Sequence, residues 1–153
     1  MRLDRLALYT TVYAGVERFL PEWYASVRAQ SDRDLDIWIG LDGLAPATVS
    51  GILGADSGIR WVPAPAGATP ARVRGVAIDA IVARYDAVLF VDSDDVLLPT
   101  RVAAARAMLA AADVGGCALE LMDATGAALD ARVGAATSQD AVALLPRSNV
   151  FGL

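Results

Sequence analysis

Apolar positions along the chain change period repeatedly, and each change marks an element. Leu6 to Val12 is a short run rich in β-branched and aromatic residues and predicts a first strand. After Ala14 and Gly15, apolar residues recur at Val16, Phe19, Leu20, Trp23 and Val27, the spacing of one helical face. Ser31, Asp32, Arg33 and Asp34 end that helix, and Leu35 to Leu41 predicts a second strand closed by Asp42 and Gly43. Pro46 to Leu53 reads as a short helix with proline in its first turn. Ile59 to Val62 reads as a third strand, and the proline-rich stretch from Pro63 to Pro70 as a loop. Helical spacing returns from Ala71 to Ala83 through Val73, Val76, Ala77, Ala80 and Ile81. Ala87 to Val91 is continuously apolar, the pattern of a strand buried on both faces, and it stops at Asp92. Pro99 to Ala112 predicts a fourth helix and Gly116 to Met122 a fifth strand. The turn Asp123, Ala124, Thr125 and Gly126 then leads into a hairpin partner.

Strands that alternate with helices argue for one α/β domain over residues 1–153, with a mostly parallel sheet and helices on both faces. Right-handed crossovers bring every strand's carboxyl end to one edge, where such sheets bind ligands. The polar residues expected at that edge come from four segments. Thr11 and Tyr13 follow the first strand, Asp42 the second, Arg72 opens the helix after the third, and Asp92, Asp94 and Asp95 follow the fourth. Clustered carboxylates raise one another's pKa, and a hard cation such as Mg²⁺ or Mn²⁺, shared with substrate phosphates, relieves that repulsion. Asp94 and Asp95 could instead favour a helix N-terminus, but three acids after an apolar strand favour the metal reading. Arg72 offers a planar donor fork for phosphate, while Arg74 is expected to face solvent. For Asp42, turn chemistry beside Gly43 and ligand contact weigh equally. Trp23, Trp38, Trp61 and Tyr9 read as packing residues.

Composition narrows the chemistry. The 153 residues are 56% hydrophobic, enough for a sizeable core, yet no apolar run approaches the roughly 20 residues of a membrane span. The opening Met1-Arg2-Leu3-Asp4-Arg5 is not a signal peptide, so the expected location is cytoplasmic. A net charge of −5 without a basic run argues against nucleic-acid partners. With no histidine, a Ser-His-Asp triad, a Cys-His pair and a zinc HExxH site are excluded. All 13 basic residues are arginine, which removes Schiff-base chemistry and the phosphate-loop lysine. The single cysteine, Cys117, forms no internal disulfide and is expected to be a buried small hydrophobe. Carboxylates, arginines, backbone groups and a bound metal remain.

These segments resemble family 2 glycosyltransferases. Ser26-Val27-Arg28-Ala29-Gln30 is similar to that family's Ser-x-x-x-Gln ending of the first helix, and Leu41-Asp42-Gly43 to the end of its second strand. Ala71-Arg72-Val73-Arg74-Gly75 resembles an Ala-Arg-Asn-x-Gly segment, with Val73 where asparagine is usual. Phe90-Val91-Asp92-Ser93-Asp94-Asp95, followed by Pro99 and Arg101, resembles its Asp-x-Asp-Asp block. Cys117 to Met122, then Asp123 and Gly126, is similar to the following strand and turn.

The resemblance implies a Rossmann-like GT-A three-layer sandwich. It implies transfer of a sugar from a nucleotide diphosphate, UDP first among candidates, to an acceptor hydroxyl with inversion. Thr11 and Tyr13 would border the base, Asp42 would contact base or ribose, and Arg72 would sit near the nucleotide. Asp92 would contact the ribose, and Asp94 would ligate the Mn²⁺ or Mg²⁺ that bridges the diphosphate, with Asp95 beside it. The family's catalytic base lies in an acceptor-binding second half, beyond a segment similar to Leu145-Pro146-Arg147-Ser148-Asn149, and this chain ends at Leu153. Asp123 and Asp130 read as turn and loop residues, so the catalytic base is unknown and the expectation is donor binding without transfer by this chain alone. An uncovered sheet edge would favour a homo-oligomer, and peripheral contact with the inner face of the membrane is the alternative to free cytoplasmic residence. One rival reading is a non-catalytic nucleotide-binding or interaction domain derived from such an enzyme. Another, phosphoryl transfer with Asp92 as nucleophile, usually needs a lysine and finds none.

Overall fold

The structure is a computed structural model and describes residues 4–54, 58–65 and 67–134. It divides into two compact units, Met1–Ala111 and Ala112–Leu153. In the first, strands and helices alternate as β1 (Leu6–Tyr13), α1 (Leu20–Arg28), β2 (Asp36–Asp42), α2 (Pro46–Leu53), β3 (Ile59–Pro63), α3 (Pro70–Val82), β4 (Ala87–Phe90) and α4 (Arg101–Leu109). The four strands pair in parallel in the order β3-β2-β1-β4. From β1 to β3 the chain steps one way across the sheet, then returns past β1 to place β4. With right-handed connections, that reversal puts α3 on the opposite face from α1 and α2. This is the α/β layering that the alternating pattern predicts.

The two faces are built from the two-residue period of β1. Leu6, Leu8 and Val12 pack with Leu20, Trp23 and Val27 of α1, Val49 and Leu53 of α2, and Val102 and Ala105 of α4. Ala7 and Tyr9 point the other way, packing with Trp38, Val62 and, from α3, Ala77 and Ile81. Fully burying one such large apolar side chain contributes about 1.5–3 kcal/mol. Trp23 and Tyr9, both fully buried, are therefore among the main anchors of their layers.

Several boundaries differ from the periodicity, each for a physical reason. Val16 and Phe19 lie in turns ahead of α1, because Pro21 has no N–H and suits only a helix's first turn. Helix α4 begins at Arg101 rather than Pro99. The run 87–91 predicts burial on both faces, but among the described residues β4 pairs with β1 alone, and only Leu89 of the strand is buried. Apolar content reports the preference of the side chains; a strand with one neighbour cannot satisfy it on every side.

In the second unit, β5 (Leu119–Met122) pairs antiparallel with β6 (Ala128–Val133) across the expected turn, as a separate two-stranded sheet. Cys117 is half-buried rather than buried. The segment Leu145–Asn149 lies outside the described residues. No described helix is long and apolar enough to cross a membrane.

Candidate functional site

The carboxyl ends of β1 and β2 are brought level by their register, which pairs Thr11 with Gly40 and Tyr13 with Asp42. Beside them, the gap between β1 and β4 is where the strand order reverses, the position at which open α/β sheets accept ligands. Tyr13 is 46% exposed there, while Thr11 and Asp42 are half-buried. Below this rim lies the ring of Tyr9, whose hydroxyl is 2.9 Å from that of Thr11. Gly40 makes the arrangement possible: a Cβ at that position would collide with the Tyr9 hydroxyl and come within 3.2 Å of Val73 Cγ1. Burial raises the Tyr9 pKa, opposed by the Thr11 hydrogen bond and by the charge of Arg74. Arg74 is exposed, as its position suggests, yet its field reaches the floor of this edge.

Arg72 sits in the first turn of α3, exposed, and its N–H donates to the Thr69 hydroxyl at 3.3 Å in an N-cap. The helix N-terminus adds a partial positive charge to that of the guanidinium.

The acidic segment follows β4. The Val91 N–H donates to the Tyr9 carbonyl at 3.1 Å, and a turn closes through Asp95 N–H to the Asp92 carbonyl at 3.2 Å. Asp92 and Asp94 are exposed, Ser93 is buried, and Asp95 is half-buried. Burial, then the charges of Asp92 and Asp94, push the Asp95 carboxyl above the ordinary carboxylate range. Among the described residues, the carboxylates of Asp42, Asp92, Asp94 and Asp95 have no hydrogen-bond or ion-pair partner. Nor do three or more acidic, histidine or cysteine side chains converge there into a protein-only metal cage. Such a donor set fits a cation that takes one or two carboxylates and completes its shell with phosphate oxygens and water.

One feature of this region went unseen in the sequence except as a resemblance. Ser26 on the buried face of α1 and Gln30, two residues past the helix's end, are buried polar side chains, and both bond the loop behind the acids. The Ser26 hydroxyl donates to the Trp23 carbonyl at 2.7 Å and accepts from Leu97 N–H at 3.1 Å. The Gln30 amide donates to the carbonyls of Ser26 at 3.1 Å and Leu98 at 2.9 Å, and its oxygen accepts from Val102 N–H at 3.0 Å. The detectable signal was two polar residues on an otherwise apolar helical stripe.

Of the two aspartates weighed above as a base, Asp123 is engaged in its turn, and Asp130 lies in a strand rather than a loop. The Asp123 carboxylate accepts from the Thr125 hydroxyl at 2.6 Å and from the N–H groups of Thr125 at 2.8 Å and Ala127 at 3.1 Å. Those bonds, the Thr125 hydroxyl first, hold it below the ordinary range, as a turn-forming aspartate requires. Asp130 is exposed in β6 with a left-handed φ of 49°. In the first unit, a small cleft bordered by Tyr24, Val27, Leu35, Ile37 and Ile59 opens near the amino ends of β2 and β3, away from every residue of the carboxyl edge.

No family model matches this sequence, and no curated protein matches it either. Solved structures do. The chain is similar to S. aureus TarS 1-349 in complex with UDP, with a TM-score of 0.57 and 18% identity over 69% of this chain and 32% of that one. It is likewise similar to the crystal structure of S. aureus TarS, with a TM-score of 0.55 and 19% identity over 69% of this chain and 19% of that one. At such identities the likeness shows the fold alone, a Rossmann-like α/β arrangement around a mostly parallel sheet. This chain spans a third or less of those chains.

Proposed function

We propose that this domain binds the donor of a glycosyl transfer, a nucleotide-diphosphate sugar with UDP as the favoured nucleotide, along the carboxyl edge between β1 and β4. The observation that carries the reading is the set of carboxylates after β2 and β4 that have no partner among the described residues, on the edge where Arg72 opens α3. The likeness to a TarS structure in complex with UDP supports the nucleotide part. In this reading Thr11 and Tyr13 border the base, Asp42 and Asp92 contact the nucleoside, and Arg72 meets the diphosphate through its planar fork. Asp94 would hold Mg²⁺ or Mn²⁺, with Asp95 next to it in the chain. Such a cation neutralises charge on a departing diphosphate. The chain's own residues bind and orient the donor; no described residue is assigned as the base that takes the acceptor's proton.

Titration calorimetry with UDP, with and without Mn²⁺, tests this directly. Metal-dependent binding is expected in the unaltered protein, weakened at least about tenfold, or 1.4 kcal/mol, in Asp94→Ala. Equal affinity for both proteins in the presence of metal would remove Asp94 from the site.

A further inference from the structure

We infer that Ser26 and Gln30 are positioning residues whose side chains set the placement of the acidic segment, an inference that rests on the donor-site reading above. The stretch from Val91 to Thr100 has no regular secondary structure, so its backbone polar groups need partners from elsewhere. At one end, Val91 N–H is pinned to the Tyr9 carbonyl of β1. At the other, Leu97 N–H, the Leu98 carbonyl and Val102 N–H are pinned by the side chains of Ser26 and Gln30, and Ser31 N–H reaches the Pro99 carbonyl at 2.8 Å. Asp92, Asp94 and Asp95 lie on the short span between these pins.

One pin leads back to β1, which also presents Thr11 and Tyr13, and the other to α1 and the residues just after it. The clamp therefore sets the spacing between the carboxylates and the residues assigned to the nucleotide. Ser26 and Gln30 are 8% and 3% exposed, so water does not compete for their hydrogen bonds. Gln30 is suited to this task because one planar amide both donates to carbonyls and accepts from an N–H. No charged side chain offers both at neutral pH.

The test uses the full chain with Gln30→Met, which keeps the length of the side chain but none of its polarity, and Ser26→Ala, which removes a single hydroxyl. At a temperature where circular dichroism shows both variants folded, the Mn²⁺-dependent affinity for UDP is expected to fall about tenfold, the usual lower cost of losing a group that orients a metal ligand. Affinity for UDP without metal is expected to change by less than about twofold. In amide NMR spectra, the resonances of Ser93, Asp94 and Asp95 should move while those of β2 and β3 stay in place. Metal-dependent and metal-free affinities that fall together, or a metal dependence left intact, would overturn the inference. If the unaltered protein binds no UDP with Mn²⁺, the donor-site reading fails separately. Hydrogen exchange then decides the clamp: faster exchange at Asp95 and Leu97 in Ser26→Ala supports it, and unchanged protection refutes it. Should Gln30→Met not fold, the same comparisons on Ser26→Ala decide the matter.

Discussion

The two edges of the parallel sheet treat the same residue type in opposite ways. Along the amino edge, acids have partners within the chain. Asp36 accepts from the Tyr85 hydroxyl and from Arg60 at 3.4 Å. Asp86 accepts from the N–H groups of Asp4 at 3.1 Å and Arg5 at 2.9 Å. Just ahead of β2, Asp32 accepts from Arg106 at 2.7 Å. Along the carboxyl edge, Asp42, Asp92, Asp94 and Asp95 have none among the described residues. The pKa directions follow: the Arg106 hydrogen bond lowers Asp32, whereas burial and neighbouring acids raise Asp95. Acids that serve the fold are neutralised by the fold. Acids left to repel one another, as Asp92 and Asp94 repel the Asp95 carboxylate, raise the free energy of the charged state at the carboxyl edge.

The comparison can be broken most severely at Gly40. An alanine there would displace the Tyr9 hydroxyl or Val73, costing about 1–3 kcal/mol by overpacking. A denaturant midpoint unchanged by Gly40→Ala would show that Tyr9 and Thr11 do not form a fixed floor. Next in size, Arg106→Ala removes both the Asp32 pair and a 2.6 Å bond to the Asp34 carbonyl, an expected loss of about 1 kcal/mol near neutral pH. Because the folded Asp32 pKa is depressed, the pair's stabilisation is present above the ordinary value of 3.8 and is lost as pH falls through the lower folded value. The deficit of Arg106→Ala against the unaltered protein should shrink over that window.

The smallest effect has the opposite sign. Asp95 has a raised folded pKa, so its favourable contribution is complete below 3.8 and disappears as pH rises through the higher folded value. Asp95→Asn is therefore expected to raise the melting temperature modestly near neutral pH and to match the unaltered protein in acid. A lower melting temperature at neutral pH would mean that this carboxylate is stabilised within the fold, and the contrast between the edges would fail at that point.

Some of this was legible residue by residue. Proline in the first turn located α2 with the same ends that the structure has, and the apolar run Leu6 to Val12 located β1 to within one residue. Placing Thr11, Tyr13, Asp42 and the acids on one edge needed only the parallel topology, because every strand of such a sheet ends on the same side. Less was legible where a residue's role depends on a partner far along the chain. Gln30 touches Leu98 and Val102, and Ser26 touches Leu97, contacts that no local pattern encodes.

Sequence by itself determined the elements, the side of the sheet on which the acids and arginines lie, and the chemistries that a chain without histidine or lysine must forgo. These follow from local periodicity and from residue inventory. Only the tertiary structure decided that β4 pairs with β1 alone among the described residues, and that the side chains of Ser26 and Gln30 bond the segment after the acids. Those depend on which distant segments meet, and burial converts such meetings into constraints because an unmet polar group away from water is expensive.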